Sequence, residues 1–228
     1  ILCMEIEENL NGAAFTGVET SVVARNKPIY LICKRMTDFV LALLGLAILS
    51  PVFLIVALLI KWDDPKGTVF FGQDRVGKDG ELFKMYKFRS MYVDAEERLS
   101  NLLEHNEVSG AMFKMKEDPR VTKIGACIRK CSIDELPQLF NVLMGDMSLV
   151  GPRPALIREV SEYTSYDKQR LLVTPGISGL WQVSGRSRLT FAQMVELDLE
   201  YVTTRCYWMD IKILFKTVKV VCTGDGAY

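Results

Sequence analysis

Two adjacent carboxylates, Asp134 and Glu135, are the residues of this chain best suited to chemistry by their type and surroundings. They stand in the run SIDELP, and the cations Arg129 and Lys130 precede them closely. A carboxylate held ionised by a guanidinium and by a helix N-terminus can act as a nucleophile or bind Mg²⁺. In such a pair one carboxylate can attack while the other helps to hold the metal. The pair is therefore a candidate catalytic and magnesium-binding site.

The same residues also satisfy a purely structural pattern. Ser132 and Glu135 fit a capping box, S-x-x-E, and Asp134 could itself cap a helix with Pro137 in its first turn. Acidic residues at a helix N-terminus stabilise it by about 0.3–1 kcal/mol without any catalytic role. Composition and spacing alone leave both interpretations open and favour capping.

Further basic residues lie in motifs that suit an anionic phosphate. Arg153 lies between two prolines in the run GPRP, and its planar guanidinium matches a phosphate. Lys87 and Arg89 alternate along a strand pattern and would share a face. Arg186 ends the run PGISGLWQVSGR, whose glycines allow close backbone approach. Each motif is weak alone, because a surface turn, a solvated strand or an ordinary loop gives the same pattern.

The element that would position this chemistry is an uncharged apolar run, FVLALLGLAILSPVFLIVALLI, at residues 39–60. A helix of this length spans the hydrocarbon core of a bilayer. Pro51 removes a backbone donor, and the Ser50 hydroxyl is well placed to satisfy a freed backbone group. Cations flank both ends, and the positive-inside rule assigns both to the cytoplasm. The residues leave open a kinked span and a re-entrant helix broken at Ser50 and Pro51.

Composition limits the remaining possibilities. The 228 residues carry 28 Lys and Arg against 28 Asp and Glu, so no net charge attracts nucleic acid. We expect a water-facing domain over residues 62–228, a membrane helix over residues 34–61, and we assign residues 1–33 no role. The six cysteines lack CxxC spacing, which predicts free, mostly buried thiols in a reducing compartment.

Turn and periodicity signals predict a mostly helical α+β domain with one β-hairpin. Two alternating runs flank the turn signal at residues 77–80, which indicates the hairpin. Helical or amphipathic patterns cover residues 94–105, 123–130, 132–145, 155–173, 191–204 and 207–222. The last interleaves apolar and basic residues behind Tyr207 and Trp208, which suits either a membrane-surface helix or a core helix.

Together these motifs resemble the bacterial sugar transferase family, the monotopic polyprenyl-phosphate phosphoglycosyl transferases. The matching stretches are the Ser50-Pro51 break, KFRSM at residues 87–91, SIDELPQLFNVLMGDMSLVGPRP at 132–154, and PGISGLWQVSGR at 175–186. The resemblance implies a helix-associated β-hairpin domain on a re-entrant membrane helix with interfacial amphipathic helices. It also implies that Asp134 and Glu135 are a catalytic dyad rather than caps.

The resemblance further implies a UDP-sugar donor, undecaprenyl phosphate as acceptor, and Mg²⁺ as cofactor. Asp134 would attack the sugar-bearing phosphate, and UMP would leave. The lipid phosphate would then attack the phosphorus of the aspartyl-phosphosugar intermediate and so accept the phosphosugar. Glu135 would hold the metal together with Asp134. Phosphate contacts would fall to the basic residues of the motifs: Arg153, Arg129, Arg89, Lys87 and Arg186.

The resemblance also implies a cellular location and a biosynthetic role. It implies a monotopic protein of the bacterial cytoplasmic (inner) membrane, facing the cytoplasm, that transfers a hexose such as galactose or glucose. This would be the first membrane step of exopolysaccharide, capsule, O-antigen or S-layer glycan assembly. The extra length at residues 92–116 could be a helix near the site or a homodimer contact. A non-catalytic membrane-anchored scaffold and a lipid-linked diphosphate hydrolase are the alternative functions.

Overall fold

A computed structural model of the protein describes residues 27–99, 115, 118–185 and 188–223. Its longest element is helix α1, Pro28–Asp63, whose 36 residues extend for roughly 54 Å. The helix begins six residues before the expected membrane segment at residue 34 and ends two residues after it. Among the described residues it is the one helix long and apolar enough to cross a membrane. Its large apolar side chains are widely exposed, with Ile48 at 74% and Trp62 at 82%, which is unlike a core helix.

Pro51 lies inside α1, where its missing N–H deprives the Ala47 carbonyl of the usual helical donor. The Ser50 hydroxyl donates a hydrogen bond to that carbonyl at 2.8 Å. The expectation that Ser50 satisfies a backbone group freed at Pro51 is therefore confirmed. The helix continues through both residues, and a return of the chain within the bilayer stays a prediction.

The predicted hairpin is present. Strands β1, Phe70–Val76, and β2, Leu82–Phe88, pair antiparallel. Asp79 and Gly80 adopt positive φ angles of 55° and 88° in the connecting turn, as a tight hairpin turn requires. From β2, Met85 packs in a cluster with Ala42, and Phe88 packs in another with Val56 and Ile60. The hairpin therefore contacts α1 on both sides of Pro51.

Most of the expected helices are present within the described residues. They are α2 (Ala95–Leu99), α3 (Lys123–Lys130), α4 (Gln138–Met144), α5 (Ile157–Ser161), α6 (Phe191–Thr204) and α7 (Tyr207–Thr223). Helix α2 matches the start of the pattern at 94–105, and residues 100–105 lie outside the described part. Residues 186–187, which include Arg186, also lie outside it.

Two helical predictions were too long. The pattern at residues 155–173 divides into α5 and a 3₁₀ segment, Asp167–Leu172. Thr164 and Asp167 exchange side-chain-to-backbone hydrogen bonds, which begin a new turn and end the continuous pattern. The pattern at 132–145 divides into a 3₁₀ turn, Ile133–Glu135, and α4.

Two short parallel strands complete the architecture, which confirms a mostly helical α+β fold. They are β3, Ser148–Val150, and β4, Gly176–Ser178. Helix α7 packs against β3 through Ile213 and Val150, together with Tyr201 of α6. The four described cysteines are free, as expected, but all four are exposed, so the prediction of mostly buried thiols was wrong.

The cations at the start of α1 contact protein. Lys34 forms an ion pair with Asp210 of α7 at 3.1 Å, and both side chains are largely buried. Arg35 donates to the carbonyls of Val142 and Leu143 at 2.5 and 2.8 Å, and so caps the C-terminus of α4. From sequence alone these charges were predicted only to flank a membrane segment. The structure engages them in the attachment of α1 to the rest of the protein.

A buried ion pair between Arg170 and Asp198 joins the 3₁₀ segment to α6. We expect Asp198→Ala to lower the free energy of unfolding by about 3–5 kcal/mol, because it leaves a buried guanidinium uncompensated. Asp94→Ala is the matched control, since Asp94 pairs with Arg98 on the surface and should cost at most about 0.5 kcal/mol. Thermal unfolding in detergent measures both. Equal losses in the two variants would contradict the expectation.

Candidate active site

The dyad lies on a short turn with unusual backbone geometry. Ser132 adopts a φ of 55°, which is rare outside glycine, directly before the turn Ile133–Glu135. The Ser132 side chain makes no capping hydrogen bond, and α4 begins after Pro137 without a side-chain cap. Both capping predictions are therefore wrong. Left-handed backbone at a non-glycine residue costs free energy and is concentrated at functional sites.

Glu135 is held by strand β2. The Lys87 ammonium donates to Glu135 Oε1 at 2.8 Å, and the two side chains are 17% and 25% exposed. Burial raises the pKa of Glu135, but attraction to Lys87 and Arg153 outweighs this effect and lowers the pKa to about 2. Glu135 is therefore a firmly ionised, paired carboxylate.

Asp134 has a different environment, although it is the adjacent residue. It is 8% exposed, and among the described residues it has no ion pair and no side-chain hydrogen bond to another residue. Burial raises the pKa of Asp134, and the charge of Glu135 adds to this effect, while Lys87 and Arg129 oppose it. Arg129 favours the ionised form of this carboxylate, as expected, but burial outweighs that effect and gives the pKa its upward direction.

A shallow recess, open to solvent, is lined by Glu135 of the dyad but not by Asp134. It brings together residues from β2, the dyad turn, the GPRP loop and β4. Its lining is Met85, Lys87, Glu135, Gln138, Arg153, Pro154, Gly176 and Ile177. The lining brings an ammonium, a guanidinium and a carboxylate into one recess, which suits a phosphate that approaches with a metal ion.

The backbone of the glycine-rich run at residues 175–186 supports the side of the recess that the GPRP loop forms. Gly151 donates to the Ser178 carbonyl, and Gly176 donates to the Pro152 carbonyl, each at 2.8 Å. A Cβ atom added to Gly176 would lie 2.0 Å from the Gly151 nitrogen, so no larger residue fits. The predicted close backbone approach is confirmed, and its partner is the GPRP loop.

The remaining predicted cations have different positions. Arg129, in the last turn of α3, acts on Asp134 through its charge. Arg89 follows β2 and donates to the Thr68 hydroxyl at 2.5 Å; it does not line the recess. Although alternation gives Lys87 and Arg89 the same face, the strand ends at Phe88.

Arg75, a cation of β1 that is only 6% exposed, was not predicted from the sequence. Arg75 donates to the Pro154 carbonyl at 3.1 Å and to the Gln73 side chain at 2.7 Å. Burial and the nearby charge of Arg153 lower the pKa of Arg75 to about 10, against the attraction of Glu159 and Glu135. The available signal was weak: alternation places Gln73 and Arg75 on one strand face.

The donor set limits the kind of metal site. Within the described part of the chain, no group of three or more His, Cys, Asp or Glu residues could hold a metal ion. Mg²⁺, however, is commonly bound by one or two carboxylates, several waters and substrate phosphates. Asp134 and the second oxygen of Glu135 fit that mode, since only Glu135 Oε1 is paired.

The sequence belongs to a known family. The profile of the family described as bacterial sugar transferase matches residues 29–224. The chain is 51% identical over 199 residues to galactosyl transferase CpsE of Streptococcus agalactiae, covering 87% of this chain and 44% of that protein. It is 47% identical over 199 residues to undecaprenyl-phosphate galactose phosphotransferase of Salmonella typhimurium, covering 86% and 41%.

A shorter relative matches along almost its whole length. The exopolysaccharide production protein ExoY of Rhizobium meliloti is 41% identical over 218 residues, which cover 94% of this chain and 95% of that protein. The chain spans less than half the length of the first two relatives. This protein is a member of the bacterial sugar transferase family, and the resemblance inferred from its motifs is confirmed.

Glu135→Gln should lower the thermal stability at pH 7, whereas Asp134→Asn should not. The pKa of Glu135 lies below its ordinary value of 4.5, so its charge stabilises the fold above about pH 4.5, and this stability is lost as the pH falls toward 2. Glu135→Gln should therefore cost about 1–2 kcal/mol at pH 7 and less at pH 3. The raised pKa of Asp134 means that its ionised form destabilises the fold, so Asp134→Asn should melt at or above the wild-type temperature.

Thermal unfolding in detergent at pH 7 and pH 3 checks both expectations. A Glu135→Gln protein as stable as the wild type at pH 7 would contradict the ion-pair argument. An Asp134→Asn protein that melts lower would contradict the assigned direction for Asp134.

Proposed function

We propose that this protein transfers a sugar-1-phosphate from a UDP-sugar to undecaprenyl phosphate, with Asp134 as the nucleophile and UMP as the leaving group. The observation that carries the proposal is the division of the dyad, in which Glu135 is paired with Lys87 while Asp134 is unpaired. The proposed acceptor is that of the Salmonella relative, which is an undecaprenyl-phosphate galactose phosphotransferase. A hexose such as galactose or glucose is the proposed sugar, since another relative is named for glucose.

The reaction consists of two displacements at one phosphorus. The Asp134 carboxylate forms a bond to the sugar-bearing phosphorus, the bond to the UMP oxygen breaks, and UMP leaves with its electron pair. An oxygen of the lipid phosphate then bonds to the same phosphorus, and the bond to Asp134 breaks. The carboxylate is regenerated, and the product is polyprenyl diphosphate sugar. A covalent intermediate lets a soluble donor and a lipid acceptor use one site in turn.

The cations of the recess would serve the transferring phosphate. Phosphoryl transfer depends mainly on positioning and on compensation of the charge of the phosphate oxygens. Arg153 lines the recess and makes no hydrogen bond or ion pair within the described part of the chain, so its donors are available to a substrate. The Lys87 ammonium donates a hydrogen bond to Glu135, and its positive charge would also offset the charge of the phosphate.

Mg²⁺ is the proposed cofactor, and Asp134 and Glu135 are the residues that would hold it. When bound, it would offset charge on the diphosphate and on the leaving UMP. The pairing of Glu135 with Lys87 fixes the orientation of that carboxylate, which leaves Oε2 as its ligand atom. Arg129 would offset the charge on Asp134 between turnovers.

We further propose that α1 re-enters the bilayer at Ser50-Pro51 and holds the site at the cytoplasmic face of the bacterial inner membrane. Contacts at both ends of α1 support this topology. Near its start Lys34 pairs with Asp210, and at its end Asp63 accepts a hydrogen bond from the Ile124 amide at 3.2 Å. Since both partners belong to the globular part of the chain, both ends would lie on one side of the membrane.

Helix α7 supports the same orientation. Its surface away from the core exposes Trp208 and Phe215, at 71% and 74%. At 100° per residue the exposed Lys212, Lys216 and Lys219 form a row beside this apolar stripe. Aromatic and basic side chains in this arrangement suit an anionic lipid surface, which favours the membrane-surface interpretation of this segment.

Release of UMP tests the function. Purified protein in detergent or nanodiscs, with undecaprenyl phosphate, Mg²⁺ and a panel of UDP-sugars, should release UMP with at least one donor. Asp134→Asn should reduce turnover at least about 10³-fold, because the nucleophile is removed. Asp79→Asn, an exposed carboxylate in the hairpin turn, is the matched control and should keep wild-type turnover.

Three outcomes would contradict the proposal. Near-normal turnover of a folded Asp134→Asn protein would exclude the nucleophile. Release of inorganic phosphate from a lipid diphosphate without any UDP-sugar would favour the hydrolase. No turnover with any donor, together with unchanged lipid binding, would favour the scaffold.

A labelling experiment tests the topology. Cys33 is exposed near the start of α1, and Lys66→Cys would report on its other end, in a protein whose other cysteines are serine. A membrane-impermeant maleimide should label both positions from the same side of sealed vesicles. Leu44→Cys, in the apolar run, should resist labelling. Labelling of the two ends from opposite sides would exclude the re-entrant helix.

A further inference from the structure

The loop that carries Arg153 is attached at its entry by a carboxylate from the membrane helix. Asp38 lies in α1 and is 6% exposed. Its two oxygens accept hydrogen bonds from the Ser148 hydroxyl at 2.7 Å and from the Leu149 amide at 3.1 Å. Both donors belong to β3, the strand that leads directly into the loop at residues 151–154.

The exit of the same loop is attached by the hairpin. The buried Arg75 donates to the carbonyl of Pro154, the residue after Arg153. The next residue of β1, Val76, donates its amide to the Ala155 carbonyl at 2.9 Å. The two buried charges thus hold opposite ends of a four-residue loop, although 37 positions of sequence separate Asp38 from Arg75.

Between these two attachments the loop backbone is paired with β4, through the hydrogen bonds of Gly151 and Gly176. The Arg153 side chain, in contrast, makes no hydrogen bond or ion pair with any described residue. Its location in the recess is therefore determined by the backbone on either side of it. Displacement of β3 or of Pro154 would move the guanidinium relative to Lys87 and Glu135.

An ionisable residue in an apolar helix is costly unless it has partners and a purpose. Both oxygens of Asp38 are used on β3, and neither contacts a cation of the helix end directly. Arg75 interacts electrostatically with the recess. The charge of Arg153 lowers the pKa of Arg75, and the charge of Arg75 helps to lower the pKa of Glu135. Two like charges next to each other are destabilising, which argues against a role in stability alone.

We propose that Asp38 and Arg75 are positioning residues that together hold Arg153 in place for the donor phosphate. The inference rests on the proposed function, since Arg153 is there the phosphate-binding residue. It makes the membrane helix a component of the active site, because one of the two attachments comes from α1. Misplacement of a binding group by about 1 Å is enough to lower catalysis about 10²-fold.

A double-mutant cycle tests the proposal through kcat and KM for UMP release. Asp38→Asn keeps the size of the side chain but replaces one acceptor by a donor, and Arg75→Gln removes the guanidinium. Each should lower kcat/KM for the UDP-sugar about 10- to 100-fold in the presence of Arg153. In an Arg153→Ala background the same changes should cost less than about 2-fold, because nothing remains to be positioned.

Lys27→Met is the matched control, since Lys27 also attaches the start of α1, through the Arg205 carbonyl at 2.8 Å. It should leave kcat/KM unchanged. Ser148→Ala, which removes one partner of Asp38, and Arg75→Lys repeat the cycle if either first variant fails to fold.

Each result of the cycle decides the question. Losses of equal size with and without Arg153, or no loss with Arg153 present, would overturn the positioning role while leaving the proposed function intact. A wild-type protein that releases no UMP from any donor would overturn the proposed function, and this inference with it.

Discussion

The ion pair between Lys87 and Glu135 is the interaction on which the candidate site depends. It joins strand β2 to the dyad turn at 2.8 Å, and it gives two neighbouring carboxylates different states. Without it, both would compete for the same cations and for one proton, as close carboxylate pairs do. With it, Glu135 is ionised and ion-paired with Lys87, whereas Asp134 has no ion-pair partner among the described residues. The roles of the two residues follow from their environments rather than from their identity.

Helix α1 is part of the globular structure as much as an anchor. Met85 and Ile177 line the recess, and the same two residues belong to the cluster that packs around Ala42 of α1. The apolar wall of the candidate site is therefore backed directly by the membrane helix. A shift of that helix would therefore displace Met85 and Ile177, and with them the wall of the recess, because close-packed interiors transmit strain.

Local patterns were sufficient to predict the hairpin and most helices. The turn at Asp79 and Gly80 has its own chemical signature, and Thr190 begins α6 with a capping box. The dyad, Lys87 and Arg153 were also found from motifs. The choice between capping and catalysis could not be made from spacing, because both use the same residues. The structure excludes the capping hydrogen bonds, because Ser132 has a left-handed backbone and no side-chain cap, and the catalytic role stays a proposal.

What the sequence could not predict depends on neighbours distant along the chain. The upward direction of the Asp134 pKa comes from burial, and burial is created by elements that are far apart in sequence. Arg75 looked like an ordinary strand residue, because its partner Pro154 is 79 positions away. Lys34 and Arg35 looked like membrane flanks, although their partners lie in α7 and α4.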